Sequence, residues 1–377
     1  MQLTWVELRD FRNHRSTRME PIPSGLVTIV GPNGEGKTNL MEGIAFLFFL
    51  GSPRTSSPEP VVRRGAAAAY ARGEVDTRAG RVLVEIEVPG RGANRAQVDR
   101  SPVRRKRDLR RRVRAVFFAP EDLAVIAGDP SKRRDFMDEA IRALWPLKEG
   151  AITAYDRVLR QRNRLLKDWD GGGTPPGLDA WDGQLVETGC ALTRLRAEAI
   201  ERLAPPAAEE YRHLAGYELA CAYAPSVWSE ELEEAFRRRL SERRDDELAR
   251  RTTLVGPHRD DLELAVRELG ARNFASHGEG WAAALCLRLG LASAITEEVG
   301  DPPVVLLDDP FSALDPVRQQ RVAERLGERG QVFVSVADEA HVPAGSVETW
   351  DVLVGRATRR AGGGGWHVER PDRVRGG

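Results

Sequence analysis

Short apolar runs bounded by Gly, Pro and Asn dominate the first third of the chain. Residues 3–8, 26–30, 82–88 and 113–118 each read as strands. From about residue 120 the period changes. Leu178, Trp181, Leu185, Thr188, Leu192, Leu195 and Ala199 recur at alternating steps of three and four, which predicts a helix with one packed seam. Ile152, Tyr155, Val158 or Leu159, and Leu165 or Leu166 mark a second amphipathic helix, and the glycine-rich loop 171–177 makes the pair an antiparallel hairpin. The seam lasts only about three heptads, too short for a long coiled-coil rod. Strand signals return at 253–255, 304–307 and 332–336. The pattern predicts a split α/β nucleotide domain, with halves at 1–119 and 251–361 and a helical lobe inserted at 120–250. Residues 362–377, rich in Gly and Arg, read as a flexible tail.

Composition narrows the class. A chain of 377 residues allows two or three lobes around a substantial core. The longest greasy run, 44–50, is far short of the ~20 residues that cross a bilayer, and no apolar leader opens the chain, so a soluble, unprocessed protein is expected. Cys190, Cys221 and Cys286 lie far apart with no paired spacing, which suits a reducing cytoplasm and suggests neither a metal knuckle nor a disulfide framework. Formal net charge is zero, so binding to a polyanion would have to come from local clusters.

The candidate chemistry begins at residues 31–38, Gly-Pro-Asn-Gly-Glu-Gly-Lys-Thr, which follow the β-branched run 26–30 and lead into the apolar stretch 39–50. Strand, glycine loop and helix form the setting of a P-loop. Glycines let the backbone wrap a phosphate chain with its N–H groups inward, and the helix N-terminus adds positive potential. Lys37 is then placed for the β- and γ-phosphates and Thr38 for magnesium. Far downstream, Val304-Val-Leu-Leu-Asp308-Asp309 reads as a buried parallel strand delivering two carboxylates to the sheet edge. Asp308 is assigned to the metal and Asp309 to the attacking water. Residues 275–279, Ala-Ser-His-Gly-Glu, open a helical segment some 30 residues before that strand, and Ser312-Ala-Leu-Asp315 follows it. Free N–H groups and the Ser276 hydroxyl would make this turn a second anion site.

In that order, P-loop, signature loop, acidic strand and Ser-Ala-Leu-Asp turn resemble the ABC-type ATPase head, in which two heads clasp two ATP molecules between P-loop and partner signature loop. The rest resembles the RecF proteins of bacterial recombinational repair, through residues 8–13, 31–42, 118–123, 133–138, 253–262 and the signature and acidic-strand block. The resemblance implies ATP and Mg2+ as cofactors. It implies nucleotide contacts from Arg12, Asn13, Gly31, Pro32, Asn33, Gly34, Glu35, Gly36, Lys37, Thr38 and Asn39, with Ser276, Gly278, Glu279 and Asp315 on the opposing side. It further implies an ATP-dependent homodimer on duplex or gapped DNA, weak hydrolysis, and RecR, RecO and RecA as partners. The chain departs from the family where the signature continues Glu279-Gly-Trp281 in place of glutamine and arginine. His341 stands near the end of the strand 332–336, but at an offset that does not match the switch histidine of ABC heads.

Between Arg100 and Arg114 nine Lys or Arg residues face a single acid, Asp108. This near-pure positive run makes Arg104, Arg105, Lys106, Arg107, Arg110, Arg111 and Arg112 candidates for phosphate contact. Residues 237–239 follow Glu233 and Glu234 at helical spacing and read as a solvated face. His258 with Asp260 and Asp261 is read as structural, because the three cannot face one ion without a tight turn. Two rival readings share the P-loop: the ATPase subunit of a transporter, which should carry a glutamine lid loop and a compact insert, and an ATP-gated structural DNA-binding protein.

Overall fold

The computed structural model describes residues 1–53 and 61–360; the tail expected at 362–377 lies outside the described residues. The central sheet runs in the order Arg356–Arg359, Glu348–Leu353, Gly25–Val30, Gln331–Val336, Val304–Leu307, Ala115–Phe118. Its inner pairings are parallel, and only the edge strand Arg356–Arg359 is antiparallel. Val304–Leu307 is buried at every position, as expected of a strand covered on both faces. Register sets the chemistry. Leu307 pairs with Val334 and with Phe118, so Asp308 emerges beside the end of Gln331–Val336, and Val336 pairs with Val30 at the mouth of the P-loop.

A second, wholly antiparallel sheet runs His14–Met19, Gln2–Phe11, Ala68–Thr77, Gly80–Pro89, Arg95–Val98, Ser101–Pro102. In Gly80–Pro89 the residues Val82, Val84, Ile86 and Val88 point inward at every second position. The P-loop helix Lys37–Phe49 lies between the two sheets and is apolar on all sides, with Leu40, Met41, Ile44, Leu47 and Phe48 fully covered. Burying it from both faces holds the P-loop rigidly against both sheets.

The opposite face of the central sheet carries the helix His277–Val299, whose Trp281 ring stands edge-on to Phe118 at 5.4 Å. Behind it pack Pro130–Leu144, Gly150–Asp168 and the 38-residue helix Leu178–Ala215, which continues through Pro205 and Pro206. The latter two helices form a pair joined by a loop at 169–177. The seam from 178 to 199 covers little more than half of the longer one.

Two sequence expectations are corrected. The stretch 120–250 is not helical throughout: Leu219–Ala224 is a strand, paired antiparallel with Asp261–Val266. Residues 253–255 are not a strand, because side chains have taken their donors. Thr253 N donates to Asn163 Oδ1 (2.8 Å) and Leu254 N to Glu247 Oε1 (2.7 Å). No helix among the described residues is long and apolar enough to cross a membrane.

Candidate nucleotide site

The P-loop is shaped by two left-handed glycines, Gly34 (φ 88°) and Gly36 (φ 116°). At Gly36 the need is steric as well: a Cβ there would lie 2.6 Å from the Asn13 amide. Asn13 Nδ2 donates to the Glu35 carbonyl (3.0 Å) and Asn13 Oδ1 accepts from Asn39 Nδ2 (2.8 Å), so one side chain spans the loop. Below it the fully buried His14 sets Nε2 3.0 Å from the Gly36 carbonyl, and burial holds its pKa below the usual value. Arg12 grips Glu42 of the P-loop helix through two 3.0 Å hydrogen bonds.

Lys37 folds over the loop and donates to the carbonyls of Gly31 (2.5 Å) and Pro32 (3.0 Å) and to Asn33 Oδ1 (3.4 Å). Burial lowers its pKa, opposed by the charges of Asp309, Asp308 and Glu35. The two carboxylates stand in different surroundings. Asp308 is 3% exposed; its Oδ1 accepts from Thr38 Oγ1 (3.2 Å) and from Ser335 Oγ (2.7 Å). Asp309 takes a left-handed backbone (φ 52°), and its N–H donates to the same Ser335 oxygen (2.9 Å). Burial and then the neighbouring Asp308 raise the Asp309 pKa, against the opposing pull of Lys37 and His341.

Thr38 Oγ1 and Asp308 Oδ1 can jointly serve a hard cation. Octahedral ligands at 2.0–2.1 Å sit about 2.9 Å apart, close to the spacing found, and Mg2+ needs only one or two protein ligands beside phosphate oxygens. No cluster of three His, Cys, Asp or Glu side chains suited to a metal occurs among the described residues. The His258 ring lies 2.6 Å from the Tyr155 hydroxyl, and Asp260 accepts from Ser226 N, Tyr223 and Arg196, a knot that ties residues 258–260 to the helices Gly150–Asp168 and Leu178–Ala215.

The signature turn is a built N-terminus. Ser276 Oγ accepts from Glu279 N (3.3 Å), while Glu279 Oε2 accepts from Ser276 N (2.8 Å), a reciprocal capping box. Tyr217 donates to Glu279 Oε1 (2.6 Å) and Arg267 lies 3.3 Å from it; these contacts pull the Glu279 pKa down to about 2. The Ser276 hydroxyl is held at the helix N-terminus by this cap. A Cβ at Gly278 would sit 3.1 Å from the Ala313 carbonyl, so signature loop and Ser-Ala-Leu-Asp turn abut. Asp315 caps the helix Pro316–Gly327, accepting from Arg318 N (3.0 Å), which accounts for its carboxylate structurally.

The structure thus gathers Lys37, Thr38, Asp308 and Asp309 at one sheet edge, with Asn13, Glu35 and Asn39 bracing the loop. Spacing alone missed Ser335 and His14. Ser335 is the only polar residue in 332–336, and that interruption was the available signal. The basic run 100–114 is placed as follows. Arg110 pairs with Glu149 (2.9 Å) and Arg112 with Asp99 (2.8 Å), Arg104, Arg105 and Arg111 stay exposed, and Arg114 is buried.

Fold and site together define an α/β ABC-type P-loop ATPase head. Residues 2–357 match the family model "RecF/RecN/SMC N terminal domain". A DNA replication and repair protein RecF of Frankia alni is 43% identical, with 96% of this chain and 100% of the relative covered; one of Streptomyces avermitilis is 43% identical over 91% and 95%. The chain belongs to the RecF family. A solved structure described as the recombination mediator protein RecF-ATP in the RecFOR pathway superposes with a TM-score of 0.84 at 27% identity, covering 95% of this chain and 97% of that one. An Smc head from Pyrococcus furiosus shares the fold alone, with a TM-score of 0.56, 16% identity and 95% of each chain covered.

Proposed function

We propose that the chain is an ATP-dependent DNA-binding clamp of recombinational repair, with slow ATP hydrolysis. The observation that carries this reading is the pairing of a P-loop whose Lys37 sits over the loop carbonyls with a signature turn whose Ser276 is fixed at a helix N-terminus by its own cap. Within one chain, P-loop and signature turn belong to the two flanks of the central sheet. Two copies related by a two-fold axis would set Ser276 and Gly278 of one against the nucleotide held by Lys37 of the other. Bound triphosphate would draw Lys37 off the loop carbonyls onto phosphate oxygens, and Mg2+ on Thr38 and Asp308 would supply charge neutralisation there. Asp309, one methylene shorter than glutamate, would reach the attacking water less readily, giving weak turnover.

A relative described as a recombination mediator in the RecFOR pathway supports RecR and RecO as partners; gapped or duplex DNA is further proposed as the substrate surface and RecA loading as the outcome. We propose the domain division accordingly: head at 1–119 and 251–361, helical lobe at 120–250, in a cytoplasmic protein. Sizing the full chain with ATP, with duplex DNA, and with both, at two salt concentrations, tests the reading. A dimer that requires ATP, and DNA binding that weakens with salt, are expected; a monomer under every condition overturns it.

A further inference from the structure

Away from the nucleotide edge, a cavity of about 730 Å3 opens between the end of the P-loop helix, the short helix Lys106–Arg110 and the helix Pro130–Leu144. Its polar lining is mostly cationic. Arg114 is 8% exposed, and its Nε and Nη1 have no hydrogen-bond partner. Half-buried Arg110 and Arg142 share the lining, and exposed Lys106 and Lys132 complete it. Two carboxylates also line it, but Glu139 is taken by Arg288 at 2.7 Å. Arg110 is matched by Glu149. Lys106, Arg114, Lys132 and Arg142 have no ion-pair partner among the described residues, against one unpaired carboxylate, Asp135. An excess of three positive charges therefore converges on one cavity.

Such an arrangement is costly when empty. A buried guanidinium with unmade hydrogen bonds carries its full desolvation penalty, and like charges add repulsion. Burial, then Arg110 and Arg111, push the Arg114 pKa down to about 10, the direction expected of a cation lacking its counter-charge. A planar donor fork behind two flexible ammonium groups suits a tetrahedral oxyanion with roughly two negative charges per phosphate group.

We infer that this cavity is a second phosphate-binding site, separate from the P-loop, with Arg114 as its central donor and Lys106 and Arg142 closing on the anion. The shared chemistry is a phosphate group, carried either by a free polyphosphate compound or by a DNA end. The inference does not depend on the nucleotide assignment, and one set of titrations separates the two. Inorganic pyrophosphate is titrated calorimetrically into the full chain, into Lys37→Ala and into Arg114→Met; 5′-phosphorylated and 5′-hydroxyl duplexes are titrated in parallel. Binding that survives Lys37→Ala but weakens about ten-fold or more in Arg114→Met is expected. Loss confined to the phosphorylated duplex identifies the DNA-borne source, and loss with pyrophosphate identifies the free one. Should Arg114→Met fail to fold, the Lys106→Gln/Arg142→Gln double variant decides on the same criterion. Affinities for both probes unchanged in these variants, or binding that vanishes with Lys37→Ala, overturn the site.

Discussion

Replacing Gly36 with alanine tests whether the P-loop is held by backbone handedness alone or also by Asn13. The left-handed backbone costs an L-residue about 1–2 kcal/mol. The new Cβ would lie 2.6 Å from Asn13 Nδ2 and 2.7 Å from Oδ1, so Asn13 must leave the Glu35 carbonyl and Asn39. Both hydrogen bonds are exposed to water, and their joint loss adds about 1 kcal/mol. The sum, about 2–3 kcal/mol, corresponds to a loss of about 30- to 150-fold in ATP affinity. Gly34→Ala supplies the control, since φ is 88° but nothing lies within 4 Å of its Cβ. It should lose only the backbone share, about 5- to 30-fold. Equilibrium titration with a fluorescent ATP analogue, on variants whose thermal melts show them folded, measures both. Adding Asn13→Ala to Gly36→Ala should deepen the loss no further, because the hydrogen bonds of Asn13 are already gone. Equal losses at Gly34 and Gly36, or a clear further loss on adding Asn13→Ala to Gly36→Ala, would refute the bracing role of Asn13.

Two further outcomes follow from buried charge. Because the folded state raises the Asp309 pKa, its ionised form opposes folding above the ordinary carboxylate value of 3.8; Asp309→Asn should melt higher at pH 7, with the gain vanishing as pH falls below about 3.8, and an Asn variant less stable at pH 7 would contradict the like-charge picture. Arg162, fully buried, is bound to Asp182 (2.8 Å), Glu247 (2.6 Å) and Thr253 (2.8 Å), so Arg162→Met should cost about 3–5 kcal/mol in urea unfolding by stranding Glu247, and a loss below about 1 kcal/mol would show that the network contributes little.

The features legible in the sequence were local ones. Residues 26–38 carry strand, glycine loop and lysine in one stretch, and the four apolar residues before Asp308 announce a doubly covered strand. Residues 276–279 place an N-cap and its reciprocal Glu at the spacing a helix start requires. What escaped the sequence depends on distant partners. Residues 219–224, Leu-Ala-Cys-Ala-Tyr-Ala, have weak strand character and become a strand only by pairing with 261–266. The triplet 253–255 looks like a strand but is claimed by Asn163 and Glu247 from the helical lobe. Ser335 matters only because parallel register sets it between Asp308 and the Asp309 amide.

The composite site is tested most directly by mixing two inactive variants, Lys37→Ala and Ser276→Arg. If each nucleotide is shared between the P-loop of one copy and the signature turn of the other, heterodimers regain one intact site, and random mixing should restore about a quarter of wild-type DNA-stimulated ATP turnover. Turnover that stays at the level of the separate variants, with heterodimers shown to form, would contradict it.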